Sequence, residues 1–226
     1  MLNGLPFYLT LTFIVTTLIT LGFLFVALKI GSRPVHRSVY PIIIVWTIVQ
    51  AILGWQGFYR EFDAWPPRFL LAIGPPMLLI IYLLIKHSRV LGALPLRLFT
   101  FMHIVRIPVE IILFGLYQEG YIPRLMTYEG RNFDIIAGMT GPLMALIAFR
   151  GGIHKRLLIY WNLIGIGLLL NIVINAILST PLPFQLFAFD HPNIAVFYFP
   201  FIWLPTVVVP IVLFAHLASL LHLIRK

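Results

Sequence analysis

Arg97-Leu-Phe-Thr100-Phe-Met-His103-Ile-Val-Arg106-Ile-Pro108-Val-Glu110-Ile-Ile-Leu-Phe-Gly-Leu-Tyr117 reads as one membrane-crossing helix with both signs of charge near its middle. At 100° per residue, Thr100, His103, Arg106, Glu110 and Tyr117 fall on one stripe, and the remaining faces are apolar. Arg106 and Glu110 lie one turn apart, ~6 Å along the axis. An arginine cannot shed its proton, so hydrocarbon around it demands an anion or water. Glu110 can supply that anion as an internal staple. A sharper reading makes Arg106 the anchor of an anion-binding or proton-coupled site with Glu110 as its titrating group.

Working outward, the rest of the chain has the same character. Of 226 residues, 61% are hydrophobic and 10% charged, and the mean hydropathy is +1.00. A soluble domain carries about 25% charged residues. Apolar runs of about 20 residues recur, the length that spans a bilayer as a helix. Seven such runs can be drawn, at 5–29, 40–60, 68–86, 96–118, 133–150, 156–179 and 196–221. The fold class expected is all-α: a polytopic integral membrane protein, one seven-helix bundle over residues 1–226. No connection is long enough for a soluble domain. The first run lacks a basic leader and a small-residue cleavage site, so it reads as a retained helix.

Eleven of the sixteen Lys and Arg follow the first, third, fifth and seventh runs: Lys29, Arg33, Arg37, Lys86, Arg89, Arg97, Arg150, Lys155, Arg156, Arg225 and Lys226. Arg60, Arg68, Arg124 and Arg131 fall on the other side. The positive-inside rule therefore puts the amino terminus outside and the carboxyl terminus in the cytoplasm, as in the inner membrane of a prokaryote. The net charge of +9 is a topology signal, with lipid headgroups as its partner. No nucleic-acid motif accompanies it.

Polar residues within the runs are the candidate ligand contacts. Gln50 lies near the middle of the second run, and Asn171 and Asn175 lie one turn apart in the sixth. With Arg106 and Glu110 they can line a polar centre for a small anionic or amphiphilic ligand. The same groups also serve as interhelical glue. Threonines are the only polar residues of the first run after its start, which reads as lipid-facing. Asn132 and Asp134 suit the cap and positive first turn of the fifth helix. Asp134, Gly138, Gly141, Ala145 and Ala148 form a small-residue stripe for close packing. Pro75 and Pro76 should bend the third helix and Pro108 the fourth.

His103 and His216 are the two mid-helix imidazoles, at matched depth, and could ligate haem or a metal on facing helices. The absence of cysteine removes thiolate sites and cysteine nucleophiles. Every lysine sits at a cytoplasmic helix end, leaving no candidate for a mid-membrane Schiff base. No phosphate-cradling or hydrolase motif is present. Two function classes follow: a binding or transport protein centred on Arg106 and Glu110, or a redox protein or enzyme built on His103 and His216.

Overall fold

The computed structural model describes residues 2, 4–87 and 93–225, with the Arg33 side chain left out. Arg89 and Lys226, counted in the basic asymmetry, lie outside the described residues. Among the described residues the regular structure is helical throughout. The helices are α1 (Phe7–Gly31), α2 (Arg33–Gln56), α3 (Phe69–Lys86), α4 (Leu96–Met102), α5 (Arg106–Gln118), α6 (Asp134–Ile147), α7 (Lys155–Leu178) and α8 (Val209–Arg225).

Six stretches are long and apolar enough to cross a membrane: α1, α2, α3, the continuous run Leu96–Gln118, α7 and Leu204–Arg225. The remaining expected run, 133–150, forms α6, whose 14 residues reach only ~21 Å at 1.5 Å per residue. That is shorter than the ~30 Å hydrocarbon thickness. Large side chains such as Leu18, Val45, Leu78, Met139 and Ile164 are exposed on the outer faces. Water would not tolerate so much apolar surface on a monomer.

The boundaries differ from the hydropathy reading in two places. Helix α2 begins at Arg33 rather than 40, because Ser32 accepts a capping bond from the Val35 N–H at 3.4 Å and Pro34 suits the first turn. Capping chemistry starts the helix before the apolar run does. It ends at Gly57, whose φ of 81° is left-handed. The last helix begins later than expected. Residues 204–208 form a π-type turn before α8. Pro210 has no N–H for the Thr206 carbonyl, and the indole Nε1 of Trp46 donates to that oxygen at 3.1 Å.

The run Leu96–Gln118 and α8 are the two most buried stretches. Helix α8 packs on α4 and α7, while α6 lies against α4 and α5. Helix α1 is not simply lipid-facing. Thr16, Thr17 and Thr20 are buried, each bonding the carbonyl four residues back. Their face of α1 lies toward the bundle, which packs α1 on α2 and α5. Helix α3 stays continuous through Pro75 and Pro76.

Candidate functional site

Pro108 breaks the central run as its chemistry requires. Lacking an N–H, it cannot bond the Ile104 carbonyl, and residues 103–105 tighten into a 3₁₀ turn between α4 and α5. Helix α6 comes close to this turn because its facing residues are glycines. A Cβ on Gly138 would sit 3.0 Å from Ile107 Cγ1, and one on Gly141 would sit 3.0 Å from His103 Cβ. The small-residue stripe thus brings the α6 backbone against the turn that carries His103 and Arg106.

Arg106 is 2% exposed. Its guanidinium does not staple to Glu110. It grips Asp134 across the α5–α6 interface, with Nε donating to Oδ2 at 2.6 Å and Nη2 donating to Oδ1. Among the described residues the ion pairs are Arg106–Asp134, Arg68–Glu61 and Arg124–Glu129. A planar fork facing a carboxylate makes two parallel bonds. Asp134 presents both oxygens to that fork from the neighbouring helix, and it takes the contact expected for Glu110, one turn along Arg106's own helix.

The rest of the guanidinium fixes a histidine. Nη1 lies 3.1 Å from His216 Nε2 on α8. Arginine only donates, so this ring nitrogen must carry a lone pair, and the proton sits on Nδ1. His216 Nδ1 then donates to Asn162 Oδ1 at 2.8 Å. Asn162 is held in turn by its Nδ2, which donates to the Leu158 carbonyl at 2.8 Å. The order Asp134–Arg106–His216–Asn162 therefore reads as a neutral imidazole beside a paired cation, spanning α5, α6, α7 and α8. Gly165 admits it: a Cβ there would meet the His216 ring.

Glu110 has a different partner. Asn132 Nδ2 lies 2.6 Å and 2.7 Å from its two oxygens and 3.0 Å from the Met126 carbonyl. Two hydrogens thus serve three acceptors. Asn132 Oδ1 also accepts from the Asp134 N–H at 3.0 Å. The local role expected for Asn132 at the head of α6 is present, and its amide also ties that head to Glu110.

His103 stacks on His216, ring centroids 3.9 Å apart and planes 26° from parallel. Trp161 meets His103 edge-on at 5.1 Å, and its Nε1 donates to Thr140 at 3.0 Å. Matched depth therefore brings the imidazoles together, but not as ligands to one ion. Ring nitrogens point in the ring plane, and stacked rings aim them side by side. Both His216 nitrogens are already engaged, and no macrocycle fits between rings in stacking contact. Among the described residues no three His, Cys, Asp or Glu side chains form a metal ligand set. His103 Nδ1 is buried without a hydrogen-bond partner among the described residues.

The uncharged candidates lie apart from this centre. Gln50 Oε1 accepts from the Tyr59 hydroxyl at 2.7 Å. Neither side chain lines the cavity beside Glu110. Asn171 Nδ2 donates to the Arg131 carbonyl at 2.6 Å, holding the loop that carries Asn132. Asn175 Nδ2 donates back to Asn171. Their roles are anchoring ones at one remove from Glu110. Arg131 reaches over the Phe187 ring, and the Ile194 and Ala195 N–H groups donate to the Tyr121 carbonyl. The connections 121–134 and 180–195 therefore lie together over this end.

Beside the network is a cavity. Helices α3, α5 and α7, the head of α6 and the start of α8 enclose it. Its wall is apolar except for Glu110, Asp134, Thr180 and Asn193. Leu170 on its rim is 45% exposed, and Met77, Val173 and Leu213 are partly so. The cavity thus opens through the flank of the bundle. A second cavity, bounded by α1, α2, α3 and α8, has no charged lining residue.

The molecule is thus an all-helical chain with membrane-type helices gathered around a buried Arg–Asp pair. Residues 68–224 match the model of a family described as a domain of unknown function, DUF8737, and the chain belongs to that family. The match takes in every residue of the Arg106 and Glu110 networks, and leaves out α1, α2 and the Gln50–Tyr59 pair. No curated protein and no solved structure matches the chain.

Proposed function

We propose that this is a seven-span protein of a prokaryotic inner membrane, amino terminus outside and carboxyl terminus inside, that binds a small amphiphilic ligand in the flank cavity. The basic asymmetry of the loops supports the orientation, and the apolar outer faces support the bilayer as solvent. Helix α6 serves as the remaining, short span.

The observation that carries the binding reading is a carboxylate, Glu110, on the wall of an otherwise apolar cavity that opens sideways. Apolar pockets with a few placed polar groups are the usual form of a small-molecule site. The ligand's body occupies the space between α3 and α7 while its head lies against Glu110. A proton on Glu110 and a ligand head beside it compete for the same oxygens. That competition is the chemistry a proton-coupled carrier requires. Arg106 is not the ligand's anchor, since Asp134 already holds its fork.

The test uses the protein in lipid nanodiscs and dodecyl-chain compounds as probes. At least one dodecyl compound should raise the melting temperature of the wild type, and Val173→Trp, which fills the cavity, should abolish the shift. If no dodecyl compound stabilises the wild type, or Val173→Trp is stabilised equally, the reading fails. A reporter fused after Lys226 should be cytoplasmic and one in the 119–132 loop external. The reverse result would overturn the orientation.

A further inference from the structure

We infer that the occupant of the flank cavity carries a cationic, hydrogen-bond-donating head: it is an alkylammonium-type amphiphile rather than a fatty anion. The inference rests on the binding reading above and adds the sign of the head.

The first support is the charge on the wall. Two acids, Glu110 and Asp134, line the cavity, and none of its lining residues is Lys, Arg or His. Arg106 is buried behind Asp134, bonded to both of its oxygens. His216 accepts from Arg106, so it adds no charge. One cation therefore faces two carboxylates, and the group is one positive charge short of balance. In a low-dielectric setting such a deficit is strongly felt. A proton or a ligand cation supplies it, and a second anion would deepen it.

The second support is independent of charge. Asn193, on the connection before the last helix, is 1% exposed and lines the same cavity. Its Nδ2 donates to the Ala176 carbonyl at 3.2 Å, while its Oδ1 is buried without a hydrogen-bond partner among the described residues. Flipping the amide would set oxygen against oxygen at Ala176, so the orientation is fixed. A buried acceptor left unpaired is costly and calls for a donor.

Thr180 points the same way, because its hydroxyl donates to the Ile177 carbonyl at 2.6 Å and leaves lone pairs over. Among the described residues, Glu110 likewise accepts only from Asn132. Every polar side chain on the wall offers acceptors. A carboxylate head would meet two acids and, as the one spare side-chain donor among the described lining residues, the second N–H of the Asn193 amide. An ammonium head brings three donors and the missing charge, and its chain suits the apolar wall.

The experiment compares dodecylamine, dodecanol and dodecanoate binding to the protein in phosphatidylcholine nanodiscs, with Val173→Trp discs as the control for bilayer partitioning. Dodecylamine should bind about tenfold or more tighter than dodecanoate, with dodecanol between. Glu110→Gln should weaken dodecylamine about tenfold. Asn193→Leu, which lies outside the Arg106 network, should weaken it about threefold or more, with dodecanoate unchanged. Dodecanoate binding as well as the amine would overturn the inference while leaving the cavity as a binding site. An unchanged amine-to-dodecanoate ratio in either variant would also overturn it. If Glu110→Gln fails to fold, Asn193→Leu decides. Should no dodecyl compound bind, or Val173→Trp bind as well as wild type, the binding reading itself has failed.

Discussion

Two buried polar regions of this molecule solve the same problem differently. At the head of the α2–α3 connection, Gln50 and Tyr59 meet in one neutral hydrogen bond nine residues apart in sequence. Around Arg106, six side chains from several elements are linked, Glu110 and Asn132 joining the rest through the Asp134 N–H, and the links span up to 110 residues. The neutral pair is satisfied locally and adds nothing to a cavity. The ionic chain pairs one cation with Asp134 and leaves Glu110, held only by an amide, on a cavity wall. Burying charge draws in distant partners, and the acid left without a cation is where chemistry is available.

The comparison breaks most directly at Arg106. Arg106→Leu should destabilise the protein by about 3–5 kcal/mol, because Asp134 is left buried and uncompensated. Adding Asp134→Leu should recover most of that loss, and thermal unfolding of both variants checks it. Equal stability of the single and double variants would show the pair to be uncoupled. Asn132→Leu separately removes the one partner that hydrogen-bonds Glu110 among the described residues.

A smaller effect separates contact from helix propensity. Gly165→Ala places a methyl against the His216 ring and should cost about 1–3 kcal/mol. Gly167→Ala, two residues on, meets nothing within 4 Å. It should be neutral or stabilise slightly, since alanine is the better helix former. The same melting measurement reads both, and equal effects would remove the case for a close approach at Gly165.

The smallest effect lies in the neutral region. Tyr59→Phe should cost about 1 kcal/mol, the net worth of one hydrogen bond. Burial raises the Tyr59 phenol above its ordinary value near 10, and the bond to Gln50 eases it back in part. Above that ordinary value the unfolded phenol ionises first. The stability contributed by keeping Tyr59 neutral is therefore complete below about pH 10 and is lost as pH rises further. Wild type should lose stability above pH 10 more steeply than Tyr59→Phe; parallel curves would count against the burial effect.

Much of this architecture was legible in the chain itself. Hydropathy located the long apolar helices, the Gly138–Gly141 stripe announced close packing, and Pro108 marked a break beside Arg106. The partner of Arg106 was not legible. Asp134 had a sufficient local explanation in the first turn of α6, and Glu110 lay on the same stripe as the arginine. Side-chain spacing along one helix says nothing about which way a neighbouring helix is turned. Asn162 was hidden likewise among apolar residues of α7, with no local oddity to mark it. For α2, capping by Ser32 and Pro34 outweighed the charged residues that argued for a loop. Depth, by contrast, could be read from sequence, and it brought His103 and His216 together. It could not show that the rings would stack.

The sideways mouth of the cavity changes what concentration means for this protein. Under the proposed reading, a ligand entering between α3 and α7 arrives from hydrocarbon, so the quantity that matters is its mole fraction in lipid. Each added methylene favours the bilayer over water by about 0.8 kcal/mol, roughly a fourfold enrichment. Longer chains would therefore load the site more heavily at equal aqueous dose, with no added contact to the wall. Extra lipid would dilute the ligand even in a fixed volume of buffer. On that reading, selection by the membrane precedes selection by Glu110.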